Sequence, residues 1–335
     1  AAGGGSPAAT FGGSAMPRLL AFILLLVTTT PAAAALDELR EAARLGDLAT
    51  VERLLEAGAD PNGWPTSYSP LMFAAQAGHA DVVALLLAHG AEVEHRDHNG
   101  ERALLWAAQA GKAEAVRLLL EAGAAADSPD DPYGGSPLIE VSRYGHVAAA
   151  RLLLASGADP RWQSDSGWTP LYAATQSGSA ELVALLLAAG AGTNPADSRA
   201  PATPLHDAAL YGRPAVAALL LEAGAALEAR DYDGRTPLYL AAMQNHAALA
   251  LLLLAAGADP DAPDAQGQTP ILAAIGFPAS DSFDHGSVAA LLASRTADLD
   301  RAFAAELWSD LPAVAGILLA RGASVDAVDV HGRPA

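Results

Sequence analysis

Carboxylate and imidazole side chains crowd one short stretch of the chain. They belong to Glu92, Glu94, His95, Asp97 and His98, and both groups are ligand types for Zn²⁺. A zinc site needs three or four ligands that further hydrogen bonds hold in place, so two histidines three residues apart are a weak signal for one. We interpret the stretch as a solvated turn between structural units and predict no metal site. A metal-binding turn is the alternative.

Patterns typical of enzymes are missing from the sequence. It contains no Gly-x-Ser-x-Gly nucleophile turn, no glycine-rich phosphate loop ending in Lys-Ser/Thr, and no His-Glu-x-x-His pair. The chain also has no cysteine, which excludes a thiol nucleophile, a thiolate metal site and a disulfide. We therefore predict a protein that is not an enzyme, has no catalytic residues and needs no cofactor.

Two short phrases recur along the chain in a fixed relation. Gly-Ala returns at a nearly constant spacing of roughly 33 residues, with one spacing about twice as long near the end. Its glycines are Gly58, Gly90, Gly123, Gly157, Gly190, Gly224, Gly257 and Gly322. A Thr/Ser-Pro-Leu phrase, or a near variant, precedes six of these glycines at one fixed distance, at Pro70, Ala103, Pro137, Pro170, Pro204 and Pro237. A period of this length indicates an array of repeated structural units.

Each unit predicts two short helices and a turn. Thr169 caps a helix and Pro170 suits its first position, where no N–H is needed. Eight residues after the proline comes Gly178, or Asn245 in one unit, and both residue types accept the left-handed conformation that ends a helix. A second run such as 82–87 is apolar nearly all round, so we expect neighbours to cover several of its sides. Clusters of Asp, Asn and Gly between units favour tight turns.

These units resemble ankyrin repeats. Residues 231–261 and 67–99 closely follow the family pattern D-x-x-G-x-T-P-L-H-x-A-A-x-x-G-H-x-x-V-V-x-L-L-L-x-x-G-A-D-x-N. The resemblance covers residues 36–335 and implies an all-α solenoid of about nine helix-turn-helix repeats with β-turn or hairpin fingers. It places an N-terminal cap at 36–63 and irregular repeats at 264–335. The complete Thr-Pro-Leu-His phrase occurs at 203–206, whereas Arg102-Ala103 replaces Thr-Pro in another unit.

The charge of the chain narrows the choice of partner. The chain has 335 residues, of which 19 are basic and 38 acidic, for a formal net charge of -19. Binding to nucleic acid depends on cationic groups that displace counterions, so we predict no nucleic-acid partner. Because each unit of a solenoid packs against the next, we expect one elongated domain, and we expect it to be a monomer that binds another protein.

The first 35 residues differ in composition from the repeats. Residues 16–35 run from Met16-Pro17-Arg18 through an apolar stretch, 19–27, to alanines at 32–35. That order is typical of a secretory signal peptide cleaved near Ala34 or Ala35. The apolar stretch is shorter than the about 20 residues of a membrane-spanning helix. We predict a secreted or periplasmic protein with no membrane span in the mature chain; the alternative is a cytoplasmic protein whose N-terminus is translated upstream sequence. Residues 1–15 are expected to be disordered or upstream-translated.

The resemblance implies that a partner protein binds on the concave face, formed by the turn tips and the exposed side of each first helix. Aromatic residues are 5% of the chain, yet six of them fall at phases, that is, positions within the repeat, that are expected on this face. The nine candidate partner-binding residues are Tyr68, Glu101, Tyr133, Arg143, Tyr144, Trp168, Tyr211, Tyr232 and Arg235. Tyr and Trp are frequent in binding hot spots because they bury much area and keep a polar group. For Tyr144 and Tyr211 the simpler interpretation is that each covers the end of its own helix. Phe73, Trp106 and Leu240, at a neighbouring phase, are expected in the core.

Together these features favour an exported, non-enzymatic protein-binding module. The alternative is a cytoplasmic ankyrin scaffold or adaptor, or a fragment of a larger multidomain protein. A third hypothesis is an enzyme with a site in Gly276–Ser287, where about six residues are inserted between the helices of one unit. Inserted loops in solenoids are often functional, although they are also well tolerated without a function.

Overall fold

The computed structural model describes residues 31–63, 67–127, 135–194, 202–276, 286–297, 299–300, 302, 312–324 and 326. Seventeen α-helices account for most of these residues. In chain order they are α1 Pro31–Leu45, α2 Leu48–Glu56, α3 Pro70–Ala77, α4 Ala80–Ala88, α5 Ala103–Gln109, α6 Ala113–Glu121, α7 Pro137–Arg143, α8 Val147–Ala155, α9 Pro170–Ser177, α10 Ala180–Ala188, α11 Pro204–Leu210, α12 Pro214–Glu222, α13 Pro237–Met243, α14 Ala247–Ala255, α15 Pro270–Gly276, α16 Gly286–Ala293 and α17 Pro312–Ala320.

The helices pair in sequence and the pairs stack. We number the pairs as repeats 1 to 8, from α1–α2 to α15–α16. The first helix of each repeat packs against the first helix of the next, and the second helices do the same, so two parallel layers run along the array. The described residues form no β-strand longer than a single-residue bridge at Asp97. The predicted all-α solenoid of helix pairs is confirmed.

Helix boundaries follow the predicted chemistry. The side chains of Ser69, Thr169 and Thr236 each accept a hydrogen bond from the backbone N–H three residues later, which satisfies a donor that the first helical turn leaves open. Gly178 ends α9 with a φ of 75°. Asn245 takes the same left-handed conformation at a φ of 56°, as the residue types predict.

The core lies between the two helical layers. In α4, Val82, Val83 and Leu86 are fully buried, and the second helices of repeats 3 to 7 bury the matching positions. The expected cover on several sides is incomplete, because the outer side of this layer faces solvent. Leu251 of α14 is 48% exposed there. Burial therefore depends on stacking against the neighbouring repeats, as in other solenoids.

The turns between repeats are closed by acidic side chains. Asp97 Oδ1 accepts hydrogen bonds from the backbone N–H groups of Asn99 and Glu101, at 2.8 and 3.0 Å. Asp231 and Asp264 make the same pair of bonds two and four residues on. The backbone N–H of each of these aspartates also donates to the carbonyl four residues later, which makes a tight hairpin finger. The predicted turns are confirmed.

A second set of side chains ties each repeat to the next. The backbone N–H two residues after the Gly of Gly-Ala donates to a carboxylate or amide of the preceding repeat. The bonds run from Glu92 to Asn62, Ala125 to Glu94, Asp159 to Asp127, Ala226 to Asn194 and Asp259 to Glu228, at 2.6 to 3.0 Å. Part of the acidic charge of the chain therefore has a structural use.

Three recurring histidines also join repeats. His79, His146 and His246 each donate from Nε2 to a backbone carbonyl at the end of the preceding repeat's first helix, at 3.1 Å. Each imidazole covers a glycine of that repeat so closely that a Cβ at Gly111 would lie 2.5 Å from the ring of His146. These histidines are structural, as their phase indicates.

Several predicted segments fall partly or wholly outside the described residues. Of the proposed signal peptide, residues 16–30 are not described, and α1 begins at Pro31 and continues through Ala34 and Ala35. Residues 277–285 of the insertion also lie outside the described part. Across the ranges that the structure does describe, no helix combines the length and apolar character needed to cross a bilayer.

Candidate functional site

A depression of about 600 Å³ opens on the concave face of repeats 3 to 5. Fingers and first helices of three consecutive repeats supply its walls. The described residues that line it are Asn99, Glu101, Gln109, Gly135, Ile139, Glu140, Arg143, Tyr144, Ser164, Ser166 and Trp168. Four of the nine predicted binding residues thus meet in one place: Glu101, Arg143, Tyr144 and Trp168.

Arg143 and Trp168 join repeat 4 to the finger of repeat 5. The guanidinium carbon of Arg143 lies 4.9 Å from the centroid of the Trp168 ring, which is the geometry of a cation–π contact. Arg143 also forms an ion pair with Glu140, one helical turn earlier, at 3.4 Å. The Trp168 ring in turn meets Tyr172 edge to face, with centroids 5.1 Å apart. These contacts hold Trp168 in a defined orientation at the edge of the depression.

Glu101 and Tyr68 lie in a packed aromatic group on repeats 2 and 3. Trp106 Nε1 donates to Glu101 Oε2 at 2.8 Å. The Tyr68 ring lies 5.2 Å from that of Trp106, 5.0 Å from that of His98 and 6.0 Å from that of Phe73. Tyr68 is consequently only partly exposed, less than its phase led us to expect, because neighbouring rings cover it.

The other described candidates lie outside the lining of the depression. Tyr211 is about half exposed, and Tyr232, on the finger of repeat 7, is 72% exposed. Arg235 pairs with Asp231 and Asp233 at 2.8 Å, so its guanidinium also braces its own finger. Tyr133 lies outside the described residues.

The stretch 92–98 is engaged in structural contacts. The Glu94 carboxylate accepts the N–H of Ala125 and pairs with Arg102, and His95 Nε2 donates to the carbonyl of Ser67 at 2.8 Å. Asp97 closes the finger turn through its Oδ1. Within the described ranges, no group of three or more His, Asp or Glu side chains is arranged to hold a metal ion.

Two buried carboxylates, Glu140 and Asp207, were not predicted from the sequence. They belong to a row of residues that recurs along the array. It lies three positions after the proline that opens each first helix. Trp106 and Leu240 of this row are buried in the core and Phe73 is half-buried against it, as predicted. In repeats 4 and 6 the row instead holds carboxylates, Glu140 and Asp207, both buried. The sequence did carry a signal for Glu140 and Asp207, because each is an acidic residue at a repeat position that is apolar in the neighbouring repeats.

Asp207 forms a polar contact between repeats 5 and 6. The hydroxyl of Tyr172 donates to Asp207 Oδ1 at 3.0 Å, while the buried Oδ2 makes no hydrogen bond to the described residues. Burial raises the pKa of the Asp207 carboxyl above its usual range, and the nearby Gln176 and Tyr172 side chains only partly oppose this. Burial, together with the Asp207 charge, also raises the pKa of Tyr172. Tyr172 therefore stays protonated and acts as the donor.

Comparison with known proteins agrees with this architecture. A family model described as ankyrin repeats in three copies matches residues 39–130, 122–197, 138–231, 187–264 and 205–302. These matches span most of the chain, which therefore belongs to the ankyrin repeat family. The crystal structure of the human ASB11 ankyrin repeat domain is similar at 31% identity, with a TM-score of 0.60 over 66% of this chain and 98% of that domain.

A shorter similarity links the chain to a curated enzyme. A segment of 64 residues is 45% identical to part of the 2-5A-dependent ribonuclease of Mus musculus. The match covers 18% of this chain and 9% of the ribonuclease. A match of this extent within a repeat family reflects shared repeats, and it carries no implication of ribonuclease activity.

Proposed function

We propose that this chain is a non-enzymatic module that binds a partner protein on the concave face of its ankyrin array. Ankyrin repeats are in general protein–protein interaction modules, and this chain belongs to their family. The observation that carries the proposal is the depression on repeats 3 to 5, where Glu101, Arg143, Tyr144 and Trp168 come together. Tyr, Trp and Arg are the residue types most frequent at binding hot spots.

The rigidity of this site supports the same proposal. Trp168 is held by Arg143 on its face and by Tyr172 at its edge, so little side-chain entropy remains to be lost on binding. Tyr144 is 56% exposed and its ring stacks on that of His146, with centroids 6.0 Å apart. A preformed aromatic surface of this kind favours binding without rearrangement.

The test is affinity capture with matched variants. A Tyr144→Ala, Trp168→Ala double variant removes the two aromatic anchors. The control is a Leu251→Ala, Leu319→Ala double variant, which removes two exposed apolar side chains, one from the second helix α14 and one from α17, which packs against the second helix α16. Proteins captured from the source cells are quantified by mass spectrometry, and circular dichroism shows that both variants fold. Loss of a partner with the first variant alone supports the proposal, whereas equal capture by both contradicts it.

We further propose that the protein is exported. Support comes from the basic, apolar and small-residue order of residues 16–35. N-terminal sequencing of the protein purified from its source cells separates the two locations. A mature end near Ala35 or Leu36 supports export. Retention of residues 16–27 contradicts it and favours the cytoplasmic scaffold or adaptor, or part of a larger multidomain protein.

A further inference from the structure

We infer that the depression on repeats 3 to 5 receives a cationic side chain, arginine or lysine, from an extended basic segment of the partner protein. This inference rests on the proposed function and adds the chemistry of the partner. Among the described residues that line the depression, Glu101 and Glu140 are acidic and Arg143 is basic. The guanidinium of Arg143 already pairs with Glu140, so the unbalanced charge of the site is negative.

The Glu101 carboxylate is only partly used within the chain. Its Oε2 accepts the hydrogen bond from Trp106 Nε1, and no other described side chain bonds to its Oε1. A carboxylate held by one bond and left with an open oxygen is a preorganised acceptor for an N–H donor of a ligand. Glu140, on the buried floor of the same depression, is paired with Arg143 and balances that cation, which leaves the Glu101 charge unopposed among the described residues that line the depression.

The aromatic rings suit the same ligand. Arginine and lysine have long alkyl stems that pack on aromatic surfaces, and their charged groups are attracted to ring faces. Trp168 already holds the Arg143 guanidinium in this way. Tyr144, exposed at the other side of the lining, offers a further ring and a hydroxyl. A carboxylate beside one exposed and one partly exposed aromatic ring forms a site for a cation.

Charge over the whole chain points in the same direction. A net charge of -19 raises the encounter rate with a positively charged segment and opposes the approach of an acidic one. An acidic segment could use Arg143, but it would have to displace Glu140 and approach Glu101 as well. The basic segment is therefore the occupant that the site favours.

The test uses a phage-displayed library of random peptides, selected on the full 335-residue chain. Enriched peptides are synthesised and titrated against a Glu101→Gln, Glu140→Gln variant. Glutamine keeps an oxygen that can accept the bonds from Trp106 and Arg143 while removing both charges. The control is a Glu121→Gln, Glu181→Gln variant, which makes the same change in net charge on the exposed second helices α6 and α10.

We expect the enriched peptides to carry arginine or lysine, to lose about tenfold in affinity for the Glu101→Gln, Glu140→Gln variant and to keep their affinity for the control. Peptides that are acidic or uncharged, or that bind both variants equally, overturn the inference. Failure to enrich any peptide over the empty support also overturns it. The Tyr144→Ala, Trp168→Ala variant separates the remaining cases. If the Tyr144→Ala, Trp168→Ala variant abolishes binding of peptides whose affinity the glutamate changes do not alter, the proposal of binding on the concave face survives, but the cation does not. If this variant has no effect on their binding, both proposals fail.

Discussion

At the scale of single residues, His206 is a buried imidazole that the fold keeps neutral. The backbone N–H of Thr203 donates to Nδ1 at 3.0 Å, so Nδ1 must be the acceptor and Nε2–H donates to the carbonyl of Arg235 at 3.0 Å. Burial lowers the pKa of His206 below its usual value. A proton on Nδ1 would point at the Thr203 N–H, and this repulsion is a further reason for a lowered pKa of His206.

This histidine should make the fold sensitive to acid. The unfolded chain binds a proton at His206 near pH ~6.5, before the folded chain does, so stability is lost as pH falls below that value. Tyrosine occupies the same phase at Tyr172 and Tyr239, so we expect a His206→Tyr variant to fold. From about pH 7.5 to about pH 5.5, wild type should lose more free energy of unfolding than the variant, by up to about 1.4 kcal/mol per pH unit. Parallel curves of urea unfolding against pH would contradict this.

Asp207 should have the opposite pH dependence. Its pKa is raised by burial, so the ionised carboxylate costs stability once the pH exceeds the unfolded value of about 3.9. An Asp207→Asn variant keeps an oxygen for the Tyr172 hydroxyl and removes the charge. We expect it to be more stable than wild type at neutral pH by about 1 kcal/mol, and the gain to vanish near pH ~3.5. Thermal unfolding at both pH values checks this; a gain that persists in acid would show that the charge is not its cause.

The sequence allowed residue phases to be predicted better than residue contacts. Counting from each proline placed Arg143 and Trp168 on one face, because a repeat returns each phase to the same side of the array. The same counting could not show that the Arg143 guanidinium lies over the Trp168 ring. It also could not show that neighbouring rings cover Tyr68. These contacts depend on side-chain directions in adjacent repeats. Glu94 was misleading for the same reason, since its partners Arg102 and Ala125 lie 8 and 31 residues away.

At the scale of the elements, Arg102 takes the place of the usual cap of α5. Its side chain is 1% exposed, pairs with Glu94 of repeat 2 and donates to the carbonyl of Ala125 at 3.1 Å. One buried guanidinium therefore connects the regions before and after its own repeat. The departure from Thr-Pro was visible in the sequence, but its compensation by a long-range ion pair was not.

We expect an Arg102→Ala variant to lose about 2–4 kcal/mol of stability, because it removes a fully buried side chain together with its hydrogen bond to the Ala125 carbonyl and its ion pair with the partly exposed Glu94. Arg151→Ala is the matched control, since Arg151 also pairs with a glutamate of a neighbouring repeat, Glu181, but both side chains are exposed. Arg151→Ala should lower the free energy of unfolding by less than about 1 kcal/mol. Chemical denaturation of both variants measures the difference, and similar losses would disprove a special contribution of the buried Arg102 side chain.

The glycine that ends α5 provides a test of the junction between repeats. Gly111 and Gly123 both have a positive φ, but a Cβ at Gly111 would strike His146, whereas one at Gly123 would meet nothing within 4 Å. Alanine at either position should cost about 1–2 kcal/mol for the backbone conformation. Gly111→Ala should cost about 1–3 kcal/mol more because of the collision. Adding His146→Ser, the residue type at the matching Ser179, should recover that excess; no recovery would exclude the steric cause.

At the scale of the whole molecule, the fold could be predicted almost completely from the sequence. The repeat period and two phrases locked in phase determine both helices, the finger and the stacking, and the 17 described helices follow that order. The site could be predicted only as a face. Which part of the face forms a depression depends on small residues such as Gly135 and large ones such as Trp168, which three different repeats contribute to one lining.

The acidic character of the molecule has two sources. Many carboxylates, including Asp97, Asp231 and Glu228, hold fingers or bridge repeats, and their charge follows from the architecture. Glu101 and Glu140 instead line the depression. The formal charge alone therefore did not indicate where a basic partner would bind, and the local balance of charges in the depression was needed.

Site-specific photo-cross-linking distinguishes binding on the concave face from binding on the second-helix layer. A benzophenone amino acid is placed at position 144, beside the depression, or at position 251, exposed on the second-helix layer. Each full-length variant is irradiated in the source cells, and covalent adducts are identified by mass spectrometry. We expect one partner protein to be cross-linked reproducibly from position 144 and not from position 251. The same partner cross-linked from position 251 alone would contradict binding on the concave face.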